Sequence, residues 1–434
     1  MQQFKSAIEY VTQNANANEL KIVLTARTRH HDLHRGTVNL PSLNSDVAVI
    51  APGVTTTQQF GKLAVTLHLR GGRLQTIDAM HPAYDPLSYV LLLPQGSQGY
   101  HTELAGITPT CFYRYHLQVR DIAQHFNLLL RGGRLTQQYV CDMMAKIELH
   151  RLNWIRHNQK SIKAEKYKII VDARNSHSEI IPGRLTILPP TIYGSPRWYA
   201  KEFQDAMALV RIKGKPDFFL TFTCNPNWPE ITGSLFEGQQ TNQRPDIIAR
   251  VFHMKVEALL TDLLKRDIVG HIDAYVMVKE TQKRHLPHIH MLMTMVARDK
   301  PRTASDIDRV VSAEIPDKNT NMELHRIVTS HMIHGPCGQW NSASPCMEDK
   351  KCTKEYPKQL RQNTSFSDNS YPLYRRRTEG VPGSPLIKTI RGGVNVPVNN
   401  TWVVPYNPYL LLRYNAHINV EIVCAVSSVK YLYK

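Results

Sequence analysis

From Tyr275 to Met295 the chain reads YVMVKETQKRHLPHIHMLMTM. Two apolar runs flank a short polar turn, the pattern of a β-hairpin. The second run holds His288-Ile289-His290. In a strand, side chains two apart leave the same face, so both imidazoles point one way while Ile289 points into the core. On the arriving strand Glu280 and Gln282 are also two apart. With an odd number of loop residues, Gln282 lies opposite His288 and Glu280 opposite His290, all four on one face; an even loop sends Glu280 to the wrong face. Two imidazoles with one carboxylate or amide oxygen suit a divalent ion such as Mg²⁺ or Mn²⁺ and leave positions open for a substrate oxygen. Glu280 and Gln282 both stand as third ligand. The competing reading is two half-buried histidines on a polar sheet face.

The totals narrow the class. A chain of 434 residues has room for two or three domains and a sizeable core. It contains no apolar run of about 18 residues and no charged N-terminal segment leading into an apolar one, so it reads as neither membrane-spanning nor secreted. Lys and Arg total 53 against 36 Asp and Glu, a net charge of +17 that favours a polyanionic partner, nucleic acid first. Seven cysteines, an odd number with three of them clustered, point to metal in a reducing compartment rather than to a disulfide framework.

Residues 1–110 alternate β-rich pieces (IVLTAR, DVAVIA, LAVTLHL) with turn residues and read as a mixed, β-rich N-terminal region. Residues 111–296 form a second region. Apolar spacing predicts a helix over 135–160 with a basic stripe of Lys146, Arg151, Arg156 and Lys160, and Ser195-Pro196 starts another that runs to about Ile212. A strand over Phe218–Thr223, a helix over Pro245–Lys265 and the hairpin follow. Strand, helix, strand, strand is the leading half of a ferredoxin-like βαββαβ sheet, with helices on one face and the other free for substrate. A helix at about Ala304–Glu314 fits the next position. The fold class is therefore α+β.

Residues 297–434 change character. His331, His334, Cys337, Cys346 and Cys352 lie in HMIHGPCGQWNSASPCMEDKKC, where His334, Cys337, Cys346 and Cys352 have spacing that lets four ligands close a tetrahedral Zn²⁺ site; the alternative is loop cysteines. Residues 353–400 read as loop with a few short strands. The stretch Ile418–Lys434 can be drawn as a helix ending in Tyr431-Leu432-Tyr433-Lys434.

Three segments together resemble one family: FLTFTCNPNWPEI (219–231), HLPHIHMLM (285–293), and NPYLLLRYNAHINVEI with VKYLYK (within 407–434) are similar to the Rep part of Helitron rolling-circle transposases. RGGRLTQQYVCDMMAKIELHRLNWIRHNQ, GSPRWYAKEFQDAMALVR and HGPCG with SPCM extend the resemblance over most of the chain from about residue 35. That resemblance implies an endonuclease of the HUH class, named for its histidine-hydrophobe-histidine core, which cuts single-stranded DNA at transposon ends in the nucleus. It implies that His288 and His290, with Glu280 or Gln282, hold Mg²⁺ or Mn²⁺ against a scissile phosphate, and that a tyrosine attacks. The family places two tyrosines four apart; here the first is Tyr431, and Tyr433 is the lesser candidate because it faces away. Lys283 and Arg284 at the hairpin tip, with Asn225 and Trp228 beyond the strand at 218–223, are the candidate nucleic-acid contacts, and Tyr199 is a further stacking candidate. Two departures stand out. His285 takes the place of a glycine at the tip, and no G-x-x-x-x-G-K-[ST] is present for the family's helicase. The chain therefore reads as a fragment or truncated copy, with a catalytically inactive DNA-binding remnant as the alternative to an active transposase. The oligomeric state is open.

Overall fold

The computed structural model describes residues 63–68, 74–120, 126–158, 188–281, 286–367, 371–378, 386–389, 393 and 395–423. They fall into two compact units, one within 1–115 and 145–149, the other within 116–144 and 150–434. Residue 296 thus lies inside the second unit. No helix among the described residues is long and apolar enough to cross a membrane.

In the first unit, β1 (Ala64–His68) and β2 (Leu74–Asp78) pair antiparallel, with Ala64 opposite Asp78. They precede two short helices, α1 (Tyr84–Ser88) and α2 (Pro109–His116). Of the expected strand pieces LAVTLHL contains β1 as AVTLH, while IVLTAR and DVAVIA lie outside the described residues. The long helix α3 (Arg134–His157) matches its apolar spacing but corrects the basic stripe. Lys146 is fully buried and donates to Asp85 Oδ1 (2.8 Å) and the Tyr100 carbonyl (3.1 Å), while the Tyr113 hydroxyl donates to Asp85 Oδ2 (2.8 Å). Burial lowers the Lys146 pKa, against the pull of Asp85. A lysine with a buried carboxylate partner is a structural pair rather than a solvated charge.

The second unit is organised by a four-stranded antiparallel sheet. In chain order its elements are α4 (Pro196–Lys213), β3 (Phe218–Thr223), α5 (Pro229–Thr232), α6 (Pro245–Lys265), β4 (Ile272–Thr281) and β5 (Pro287–Met295). Next come α7 (Ala304–Val310), α8 (Met322–His331), the two-residue strands β6 (Met347–Glu348), β7 (Lys351–Cys352), β8 (Ser365–Phe366) and β9 (Pro372–Leu373), then β10 (Leu386–Thr389) and β11 (Asn395–Val398). The described elements end with α9 (Pro408–Tyr414) and β12 (Ile418–Ile422). The sheet order is β12-β3-β5-β4, every pair antiparallel. That is the split β-α-β order expected from the sequence, with β12 as the outer strand beside β3.

Period-two alternation divides the sheet into two faces. Phe218, Leu220, Phe222, Ile289, Met291, Met293, Ile418 and Val420 share one buried core with Val251, Phe252, Val256, Leu259 and Leu263 of α6. Phe252, Val256, Leu259 and Leu263 recur three or four apart and, with Val251, make one helix face. On the other face Leu292 and Val423 pack with Ala206 of α4, joined by Met207, Val210, Phe219 and Val276. This face was expected to stay free; α4 instead covers its apolar end. The helix starts where its cap predicts, Ser195 Oγ accepting from the Trp198 N–H (3.2 Å), and stops at Gly214 with φ +89°.

Two expectations fail at the C-terminal side. Helix α7 ends at Val310, short of Glu314. Ile418–Ile422 is a strand, not the start of a helix, with Ile418 opposite Phe222 and Ile422 opposite Phe218. INVEI alternates branched apolar with polar residues, which suits an outer strand with one buried face. Asn415 in the left-handed region (φ 42°) ends α9 just before it.

Asp262 of α6 fastens α9. Its side chain is 1 % exposed and accepts from Tyr414 OH (2.5 Å), Arg413 Nε (2.5 Å) and Arg266 Nη1 (3.0 Å). Asp262→Ala should therefore cost about 2–3 kcal/mol, and Tyr414→Phe, which removes one bond to a charged acceptor, about 1–2 kcal/mol. Urea unfolding of the variants checks this; a loss below about 0.5 kcal/mol for Asp262→Ala would place the carboxylate among neutral surface groups.

Candidate metal centre

The hairpin brings its site together by register. Glu280 of β4 stands opposite His288 of β5, Val278 opposite His290, and Thr281 opposite Pro287. This corrects the expected pairs, Glu280 with His290 and Gln282 with His288. The pairing axis falls one position earlier in the chain, which moves each partner by two and leaves the face unchanged. Glu280 then reaches both imidazoles, with Oε1 2.9 Å from His288 Nε2 and 2.7 Å from His290 Nε2, while the two Nε2 atoms are 3.1 Å apart. Of the two candidates for third ligand, Glu280 has its oxygen at this point and Gln282 lies outside the described residues.

The donor set fits a small divalent ion. Ligands at right angles around an ion with bonds of about 2.1 Å lie about 3.0 Å from one another. The three contacts here span 2.7–3.1 Å. Both histidines are largely enclosed, whereas the Glu280 side chain is 50 % exposed, so the cluster opens to solvent on the Glu280 side. Burial, then the neighbouring His288, lowers the His290 pKa, and Glu280 opposes them. A neutral imidazole is the form that ligates a metal.

Two neighbours of His290 were not singled out from the sequence. Its ring stacks on Phe219 (centroids 5.3 Å apart, planes at 19°), and its Nδ1 lies 2.9 Å from Thr221 Oγ1. Both come from β3, where Thr221 stands directly opposite His290. The signal was the alternation of FFLTFT, which puts Phe219, Thr221 and Thr223 on the histidine face. His288 differs: its Nδ1 is buried with no hydrogen-bond partner among the described residues.

A second cluster gathers His334, Cys337, Cys346 and Cys352, whose ligand atoms all lie within 4.8 Å of one another. His334 Nε2 is 3.7 Å from both Cys337 Sγ and Cys352 Sγ. Zinc bonds of about 2.3 Å to sulfur and 2.0–2.1 Å to nitrogen put tetrahedral neighbours about 3.6–3.8 Å apart, so this set can hold a metal ion such as zinc. The local sequence builds it. Cys346 and Cys352 flank the β6–β7 hairpin, whose turn residues Asp349 and Lys350 both have positive φ (47° and 62°), the backbone of a tight two-residue connection. His334 is seated by its N–H donating to the Trp402 carbonyl (2.8 Å) and by stacking on Tyr356 (4.2 Å). Burial, then Lys354 and Lys358, pushes its pKa down to about 4. Burial works to raise the Cys352 thiol, but N–H groups of Tyr356 and Lys354 donate to it and bring it below its usual value.

Asn225 and Trp228 are placed otherwise than expected. Trp228 is 2 % exposed, its Nε1–H donating to the Tyr414 carbonyl (2.7 Å), and Asn225 Nδ2 donates to the Asn415 carbonyl (2.7 Å). They pin the loop after β3 to the end of α9, and the Trp228 ring has no open face for a base. Tyr199 is 48 % exposed on α4. Lys283, Arg284, His285, Tyr431 and Tyr433 lie outside the described residues.

An α+β sheet that gathers a carboxylate and two histidines from one hairpin defines a candidate metal-dependent domain. Residues 112–293 match the family described as the Helitron helicase-like domain at the N-terminus, and that match supports a transposase-related family. The matched residues include β3, β4 and the His288–His290 pair. No curated protein matches the chain.

Metal analysis of the purified chain should find about one zinc per chain, bound at four ligands. Cys337→Ser and Cys352→Ser should each lose it, and His288→Ala should keep it; a zinc content unchanged by either cysteine variant would remove the cluster from consideration.

Proposed function

We propose that the chain is a single-strand DNA endonuclease and strand transferase of rolling-circle transposition, of the HUH class, with a tyrosine nucleophile. The observation that supports this most is the meeting of Glu280, His288 and His290 within 2.7–3.1 Å, inside a Helitron helicase-like domain. On this reading those three residues hold Mg²⁺ or Mn²⁺, which when bound polarises a phosphoryl oxygen and offsets charge in the transition state. The Tyr431 hydroxyl attacks the scissile phosphorus, a tyrosine oxygen–phosphorus bond forms, and the bond to the 3′ oxygen breaks. The 3′ oxygen takes up a proton and leaves as a free 3′-OH, while the 5′-phosphate stays on the protein. Because the phosphodiester is exchanged rather than hydrolysed, the broken strand can be rejoined to another 3′-OH. Tyr433 is the lesser candidate for the same role.

The net charge of +17 supports a nucleic-acid partner, and Lys283 and Arg284 at the hairpin tip are the proposed backbone contacts. The proposed substrate is single-stranded DNA at transposon ends, and the proposed place of work is the nucleus. The cysteine cluster is proposed to bind zinc as a structural staple for a segment of short strands.

Incubation with labelled single-stranded oligonucleotides and Mn²⁺ should give a covalent protein–DNA adduct, reduced at least about 100-fold by His288→Ala or Tyr431→Phe. An adduct indifferent to both variants would overturn the assignment. DNA binding without an adduct on any sequence tested, unchanged by chelator, would favour a DNA-binding remnant of such a transposase.

A further inference from the structure

The strand beside the histidines carries a second alternating triplet, Thr221-Phe222-Thr223, and its register on β5 is residue for residue. Thr221 stands opposite His290 and Thr223 opposite His288. The first of these cross-strand pairs is hydrogen-bonded, Thr221 Oγ1 lying 2.9 Å from His290 Nδ1. The second is not: Thr223 Oγ1 and His288 Nδ1 are both buried, and neither has a hydrogen-bond partner among the described residues. Thr223 is 8 % and His288 6 % exposed, so both side chains are enclosed. Residues directly opposite in an antiparallel pair hold their Cβ atoms about 4.5–5.5 Å apart, within reach of a side-chain rotation. The neighbouring pair shows that the same cross-strand geometry accommodates the bond.

A histidine that offers Nε2 to a metal carries its proton on Nδ1, and that N–H needs an acceptor to fix both tautomer and ring orientation. A threonine hydroxyl oxygen serves as one. We propose that Thr221 and Thr223 are the positioning residues of the metal site: the Thr221 hydroxyl accepts the Nδ1–H of His290, and Thr223 closes the matching bond to His288 when the ion is bound. The proposal rests on Glu280, His288 and His290 being a metal site, and it gives a role to the FLTFT part of the segment at 219–231. Phe222 between the two threonines points the other way, into the core beside Phe252 (5.3 Å), which keeps both hydroxyls on the histidine face.

The full chain is titrated with Mn²⁺ while free Mn²⁺ is followed by electron paramagnetic resonance, with circular dichroism to check folding. Thr221→Val and Thr223→Val, which keep the side-chain shape, should each weaken Mn²⁺ binding about 10–100-fold. Thr221→Ser and Thr223→Ser, which keep the hydroxyl, should stay within about threefold of the unsubstituted chain. If a valine chain fails to fold, the comparison of serine with alanine at that position takes its place. Mn²⁺ binding that is lost in His288→Ala but unchanged in a valine variant overturns the proposal for that threonine and leaves the metal site standing. Serine variants as weak as the valine ones also overturn it, since the hydroxyl would then not be the cause. No Mn²⁺ binding by the unsubstituted chain, or binding unchanged by His288→Ala, removes the metal site and this proposal with it.

Discussion

The antiparallel pairing of β4 with β5 is the constraint on which the candidate site depends. Glu280 is opposite His288, and in this register one carboxylate oxygen reaches both imidazoles. A slip of one residue would carry Glu280 to the core face, where an unpaired carboxylate is strongly disfavoured. The apolar face enforces the choice, because Ile289, Met291 and Met293 are fully buried against α6 and cannot exchange with the histidines. Site geometry and core packing are therefore two consequences of the same alternation.

That alternation was legible from the sequence because period two needs no knowledge of distant contacts. It showed the shared face of His288 and His290 and the strand Phe218–Thr223, while apolar spacing of three and four showed the α6 helix. What it could not carry was the exact partner of each histidine, since register depends on where the turn falls, and a shift of two keeps the face while changing the pair. Ile418–Ile422 failed for a related reason. Five residues of mixed apolar and polar character fit either period until β3 is known to lie beside them. Trp228 and Lys146 failed because burial is a tertiary property: an aromatic near a strand end and a lysine on a helix look exposed until Tyr414 and Asp85 are found against them. The cysteine cluster was legible as a ligand set because metal sites use few residues and tolerate irregular spacing, and the hairpin turn at Asp349 and Lys350 explains how Cys346 and Cys352 are brought together.

The histidine face is not uniform. At one end Phe219, Leu292, Val276 and Val423 are apolar and packed by α4; at the other Thr221, Thr223, His288, His290 and Glu280 are polar. Phe219 lies at the border, in the apolar cluster yet stacked on His290. The ring thus connects packing of α4 to the orientation of a candidate ligand. On the polar side the open edge is at Glu280, so under the proposed function the substrate phosphate approaches from the hairpin side rather than through the packed end.

Parity also decides how the site can be probed. On β5 the odd positions 289, 291 and 293 hold the core together, and the even positions 288 and 290 hold the site. Truncating Met291 or Ile289 removes buried volume from the interface with α6, so any loss of activity there would be confounded with unfolding. Truncating His288 removes an imidazole from the polar face, with its Nε2 contact to Glu280 and an Nδ1 that has no partner among the described residues. Neighbouring residues of one strand thus separate chemistry from folding, because the pleat sends them to opposite sides of the sheet.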